Sequence, residues 1–189
     1  MMTSQKKLSK TKMTKETLLP SLAAHVLAQG LAGASLRPLA KAAGTSDRML
    51  IYHFGNKEAL INDLLDYIAE VYAATLDAGM GDERAATRYE LVKRVLARLD
   101  EPSLRPFLAL WWDIVAGSVR GNSGHKDAAK RMMHKLLQWV EDNMPEGDPD
   151  PKGGARYLLT LIEGSHMLSS VGHARTANEG LLASNLSQD

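Results

Sequence analysis

The sequence predicts an all-α protein of about nine helices: an N-terminal three-helix unit containing a helix-turn-helix, joined by a long helix to a helical C-terminal domain. Three observations support this. Apolar residues recur at i, i+3, i+4 and i+7 in segment after segment, and no stretch shows the period-two alternation of a half-buried strand. Two short helical segments near the N-terminus meet at a Gly-centred turn, with alanines where they cross. No internal repeat divides the 189 residues, a length that one domain or two small ones can fill with a real core.

The chain divides into residues 1–13, 14–56 and 57–189. The first stretch is polar and basic, with nothing to bury, and is expected to be a flexible arm. A helix from Lys15 to Gly30 follows, its apolar stripe formed by Leu19, Leu22, Ala23, Val26 and Leu27. Ser21, His25 and Gln29 occupy its other side, so this lysine-led segment is expected to be an amphipathic helix and not a secretory leader, which would be apolar all round. Ser35 is placed to cap a two-turn helix ending at Gly44, and Ser46 to cap the segment Asp47 to Phe54. Asn56 caps the long helix, Lys57 to about Ala78.

Five further helices are read beyond it. Asp82 to Leu99 is amphipathic, and Ser103 to Gly117 is nearly apolar on every side, so it must be buried on more than one face. Lys126 to Asn143 follows a turn at Arg120–Gly124. Lys152 to Val171 and Ala177 to Ser187 close the chain, the last introduced by the capping-box spacing Thr176-Ala-Asn-Glu179. No run reaches the roughly 18 apolar residues of a membrane span, and no membrane association is expected. The absence of cysteine excludes disulfides, thiolate zinc sites and cysteine nucleophiles, and fits a reducing cytoplasm.

Charge is distributed unevenly. The formal net charge is +1, but up to Lys57 there are nine basic residues against two acidic ones, or +7. The remaining 132 residues hold 14 basic and 20 acidic ones, or −6. A basic head bearing a helix-turn-helix is suited to phosphate, whereas the average charge alone hides that.

The segment Leu36 to Leu60 resembles the signature of TetR-family transcriptional regulators. The similarity rests on Ala43-Gly44, Ser46, Leu50, His53-Phe54 and Lys57-Glu58-Ala59-Leu60, and with the first helix it covers about residues 15–65. It implies a sequence-specific regulator, most often a repressor, released from a palindromic operator on double-stranded DNA by a small-molecule effector. It also implies a homodimer formed by the helices at 152–171 and 177–187, with no cofactor and no catalysis. One position departs from the family pattern. The usual recognition-helix Tyr is replaced by Ile51, and Tyr52 lies one position later, roughly 100° around the helix. Either Tyr52 takes over that contact or the reading face differs.

Candidate DNA-contacting residues are Arg37, Thr45, Ser46, Asp47, Arg48, Ile51, Tyr52, His53 and Lys57. Arg48, early in the recognition helix, can meet a guanine edge or a phosphate. The hydroxyls of Thr45, Ser46 and Tyr52 suit phosphate, Ser46 also being the helix cap, and His53 either meets phosphate or packs. Arg37 and Lys57 resemble family positions that hold the DNA backbone.

Candidate ligand-binding residues are Phe107, Trp111, Trp112, Asp113, Met132, Met133, Leu136, Trp139, Glu163 and His166. The apolar members also suit a plain core. Asp113, in an apolar helix, and Glu163 with His166 at i, i+3 are the polar groups that make a pocket for a mostly apolar ligand. They can alternatively pair with Arg105, Arg156 or each other. Glu-x-x-His occurs once, whereas a di-iron bundle needs it on two helices with further carboxylates, so no metal or enzymatic site is expected. The other reading is an all-helical sensor or carrier with degenerate, non-specific DNA binding.

Overall fold

The computed structural model describes residues 13–189 apart from 82, 185 and 187–189. The expected arm therefore lies, up to residue 12, outside the described residues. Among those described the chain is helical, with no strand.

Helix α1 (Lys15–Gln29) starts at a capping box in which the Thr14 amide donates to Thr17 Oγ1 at 2.9 Å and the Thr17 amide donates to Thr14 Oγ1 at 3.4 Å. Gly30, at φ +69°, ends it and leads into a single 3-10 turn, Leu31–Gly33, absent from the sequence reading. Helix α2 (Leu36–Ala42) and helix α3 (Asp47–Phe54) meet at Gly44, whose φ of +62° is a left-handed conformation that glycine adopts without strain. Ser35 occupies the cap position of α2 but its hydroxyl makes no capping bond, contrary to expectation. Asn56 caps helix α4 (Lys57–Asp77), accepting from the Ala59 amide at 2.8 Å.

The remaining helices are α5 (Arg88–Leu99), α6 (Arg105–Val119), α7 (Ser123–Asp142), α8 (Pro151–Ser170) and α9 (Ala174–Ala183). Three starts differ from the sequence reading by three residues or more. Helix α5 begins at Arg88, capped by Thr87, and not at Asp82, which lies outside the described residues. The carbonyl of Glu83 accepts from the Arg94 guanidinium at 2.6 Å, and the side chain of Arg84 reaches the carbonyls of Met144 and Asp142. Side-chain partners thus hold the preceding segment as a loop. Helix α7 starts three residues before Lys126, because Asn122 Oδ1 accepts from the His125 amide at 3.0 Å. Helix α9 starts at Ala174, so Thr176 is inside its first turn and not a cap, and Glu179 pairs with Arg175 at 2.9 Å. The helix ends at Ala183, short of the expected Ser187, because Ser184 turns to an extended conformation.

Two apolar clusters fill the interior. In the first, Leu22, Val26, Leu39, Leu50 and Phe54 of α1–α3 interlock with Leu60, Leu64 and Leu65 of α4 and Leu110 and Ile114 of α6. The second joins Leu91, Val92 and Val95 of α5 to Val140, Leu158, Ile162 and Leu181 of α7, α8 and α9. The three N-terminal helices therefore share their core with α4 and α6. A polar seam fastens α4 to its neighbours: Lys15 to Asp63 at 2.7 Å, Arg131 to Asp66 at 2.9 Å, and Lys135 to Glu70 at 3.2 Å. These pairs are partly exposed, each contributing about 0–1 kcal/mol, so they orient the helices more than they stabilise them.

Candidate DNA interface and effector cavity

Helix α3 buries Leu50 and Phe54 against the first core and turns its other side outward. Ser46 accepts from the Met49 amide at 3.3 Å, leaving Asp47 and Arg48 exposed in the first turn. Tyr52 follows Arg48 at i+4, on the same side of the helix, and is 77% exposed. Ile51 is half-buried, so of the two residues at the departure from the family pattern it is Tyr52 that faces solvent. Arg37 on α2 and Lys57 at the start of α4 are exposed. Thr45 is half-buried, with its hydroxyl 3.3 Å from Met13 Sδ. His53 packs: its Nε2 is buried with no hydrogen-bond partner among the described residues, and its ring lies edge-on to Tyr52 at 5.2 Å.

A cavity of about 50 Å³ lies between α4, α6, α7 and α8. Phe107 and Trp111 of α6, Met132, Met133, Leu136 and Trp139 of α7, and Glu163 and His166 of α8 line it. Two candidates do not. Trp112 points to the next side of α6, its ring 5.0 Å from that of His166. Asp113 is exposed, and its Oδ2 accepts from the Leu31 amide at 3.3 Å in the 3-10 turn. The only carboxylate within the apolar helix thus ties α6 to the N-terminal helices and does not line this cavity. The sequence reading also missed the wall from α4, formed by Ile68, Ala69, Tyr72 and Ala73. Its signal was the apolar stripe of α4, which runs on past Leu65 to Ile68 and Tyr72.

The polar groups of the cavity are neither paired with Arg105 or Arg156 nor with each other. The Trp111 indole N–H donates to Glu163 Oε2 at 3.2 Å, while the Arg156 guanidinium donates to the Lys152 carbonyl at 2.8 Å. Burial pushes the Glu163 carboxyl above its ordinary range, the indole bond opposing it. Burial, with the Glu163 charge adding to it, pushes the Tyr72 hydroxyl up to about 12. His166 is pushed down by burial, towards the neutral ring. No group of three His, Asp or Glu side chains able to hold a metal ion occurs among the described residues. Among them, no helix is long and apolar enough to cross a membrane.

Known proteins resemble the chain in its helix-turn-helix and in its fold. Residues 21–64 match the family model of bacterial regulatory proteins of the tetR family. The HTH-type transcriptional regulatory protein RaaS of Mycobacterium tuberculosis is 27% identical over 144 residues, covering 72% of this chain and 62% of that protein. The chain thus matches less than two thirds of that relative's length. A crystal structure from Rhodococcus sp., assigned to the TetR-family transcriptional regulators, superposes with a TM-score of 0.66 at 21% identity, over 89% of this chain and 94% of that one. The multidrug binding protein EbrR in complex with proflavin gives 0.64 at 20%, over 89% and 97%. The family match thus falls on α2 and α3, the helix-turn-helix, and on the helices on either side of them, and the fold of the whole described chain is that of the solved TetR-family regulators.

Proposed function

We propose that the protein is a homodimeric transcriptional regulator, a repressor that releases a palindromic operator when a small, mostly apolar effector enters the cavity. The observation that carries this reading is the sharing of elements. Helices α4 and α6 wall the cavity with Tyr72, Phe107 and Trp111, and the same helices bury Leu60, Leu64, Leu110 and Ile114 against α1–α3. At about 50 Å³ the cavity is far below the roughly 300–1,000 Å³ of a ligand cleft, so an effector must push its walls apart. Displacement of α4 or α6 then shifts the recognition helices, and the effector acts by binding the displaced arrangement more tightly.

On DNA, Arg48 and Tyr52 face the major groove, with Arg37 and Lys57 on phosphates. The exposed apolar side chains Tyr157, Met167, Val171 and Leu182 of α8 and α9 and the segment after α8 support dimerisation on that face, which would present two recognition helices to two half-sites. Operator binding places the protein in the cytoplasm, and the proposed role needs no catalysis. Footprinting of the DNA flanking the protein's own gene tests the reading. Two symmetry-related protected half-sites are expected, and no protection at low salt in any ligand state would sink it. The half-burial of Ile51 favours a second reading, a ligand sensor with non-specific DNA binding, for which uniform weak protection is the expected footprint.

A further inference from the structure

We propose that the effector is a small aromatic cation, an amine or quaternary ammonium compound, whose charge rests against Glu163 while its ring lies among the aromatic side chains of the cavity. The inference rests on the effector reading above and narrows it to one chemical class.

Glu163 is an acceptor facing the cavity from α8, and its one recorded hydrogen bond is the neutral indole N–H of Trp111 at 3.2 Å. No ion pair to it occurs among the described residues. The groups that could neutralise it are otherwise engaged. From α7, the Lys135 ammonium lies 3.2 Å from Glu70 Oε1 and 3.4 Å from the Asp66 carbonyl. From α8 itself, His166 lies with its ring 5.0 Å from that of Trp112 and tilted to it, and burial holds it towards neutrality. From α4, Tyr72 keeps its proton, its hydroxyl pushed up to about 12. Among the described residues the Glu163 carboxyl thus has no ion-pair partner, since Lys135, which lines the same cavity, is held by Glu70.

The three ligand classes differ in what they do to that group. A neutral apolar ligand favours its protonated form and gains nothing from the charge, and an anion is repelled by the ionised form. A cation supplies the missing partner, and the ring faces of Trp111 and Phe107 add cation–π attraction in a desolvated setting. Burial pushes the Glu163 carboxyl up, so a cation would draw the proton off it and bind more tightly as pH rises through the carboxylate range. Room for the ligand lies next door. Leu99, Leu108 and His166 line both the cavity and an open groove of about 420 Å³ between α5, α8 and α9.

Phenyltrimethylammonium and its neutral carbon isostere tert-butylbenzene test this, titrated into the full chain without DNA and followed by tryptophan fluorescence and calorimetry. We expect the cation to bind about tenfold or more tightly than the isostere, and that preference to collapse in Glu163→Gln, whose folding is checked by its melting curve. An isostere that binds as tightly, a preference that survives in Glu163→Gln, or no uptake of the cation overturns the proposal. The comparison within the unaltered protein stands even where the variant does not fold. Glu163-dependent uptake of the cation that leaves DNA affinity unchanged supports the cation site and overturns only the effector reading.

Discussion

Side chains separate by the kind of contact their position allows. In the proposed DNA complex Arg48, in the first turn of α3, meets a base edge, whereas Lys57, at the start of α4, meets a phosphate. Arg48→Ala is expected to lose about 1–3 kcal/mol of discrimination at one operator position, and Lys57→Ala to weaken all sequences alike and lower the salt slope by about 1. Identical behaviour of the two variants in competition titrations would abolish the distinction. Inside the cavity the signs are opposite for the two titrating groups. The Glu163 carboxyl is raised, so folding stability is lost as pH rises through the carboxylate range, and Glu163→Gln removes that loss. His166 is lowered, so stability is lost as pH falls below the ordinary imidazole value of 6.5. Melting temperatures of both proteins across pH 4–8 check this, and a Glu163→Gln curve parallel to the parent's would contradict it. Most of the cavity residues were legible because apolar residues of adjacent helices tend to meet. For Asp113 the sequence allows a pocket or an internal partner, and its partner, the Leu31 amide, was not legible because the contact joins segments 82 residues apart.

Helix existence followed from periodicity, but helix starts followed from side chains that reach backbone groups, and these are where sequence reading failed. Thr87 and Asn122 are the actual caps of α5 and α7, and each follows residues that looked equally able to open or interrupt a helix, the acidic pair Asp82-Glu83 in one case and Gly121 in the other. The α1 terminus is more demanding. Gly30, at φ +69° and ψ −178°, adopts a backbone that other residues avoid, and a Cβ there would lie 2.9 Å from Asp113 Oδ2. Gly30→Ala is expected to destabilise the fold by about 1–3 kcal/mol in urea unfolding. Adding Asp113→Ala relieves the contact but not the backbone strain, so the double variant should stay less stable than Asp113→Ala alone. Full recovery would mean that the clash, and not the dihedral, governs this junction.

For the molecule as a whole, the charge division of +7 up to Lys57 and −6 beyond would orient the proposed regulator on DNA, with the head towards phosphate and the body repelled. The body also carries the proposed dimer face, on which Met167 is 46% exposed. Met167→Glu is expected to shift the protein towards monomer in analytical ultracentrifugation and to weaken operator binding, since each half-site then binds alone. Retention of a dimer would place the interface elsewhere. The most direct measurement is the ratio of affinities for the DNA flanking the protein's own gene and for random DNA of equal length, by fluorescence anisotropy at physiological salt. A specific regulator should favour the flanking DNA by roughly 10³-fold or more, with the ratio reduced in Arg48→Ala. Equal affinities for the two DNAs would contradict operator recognition by α3.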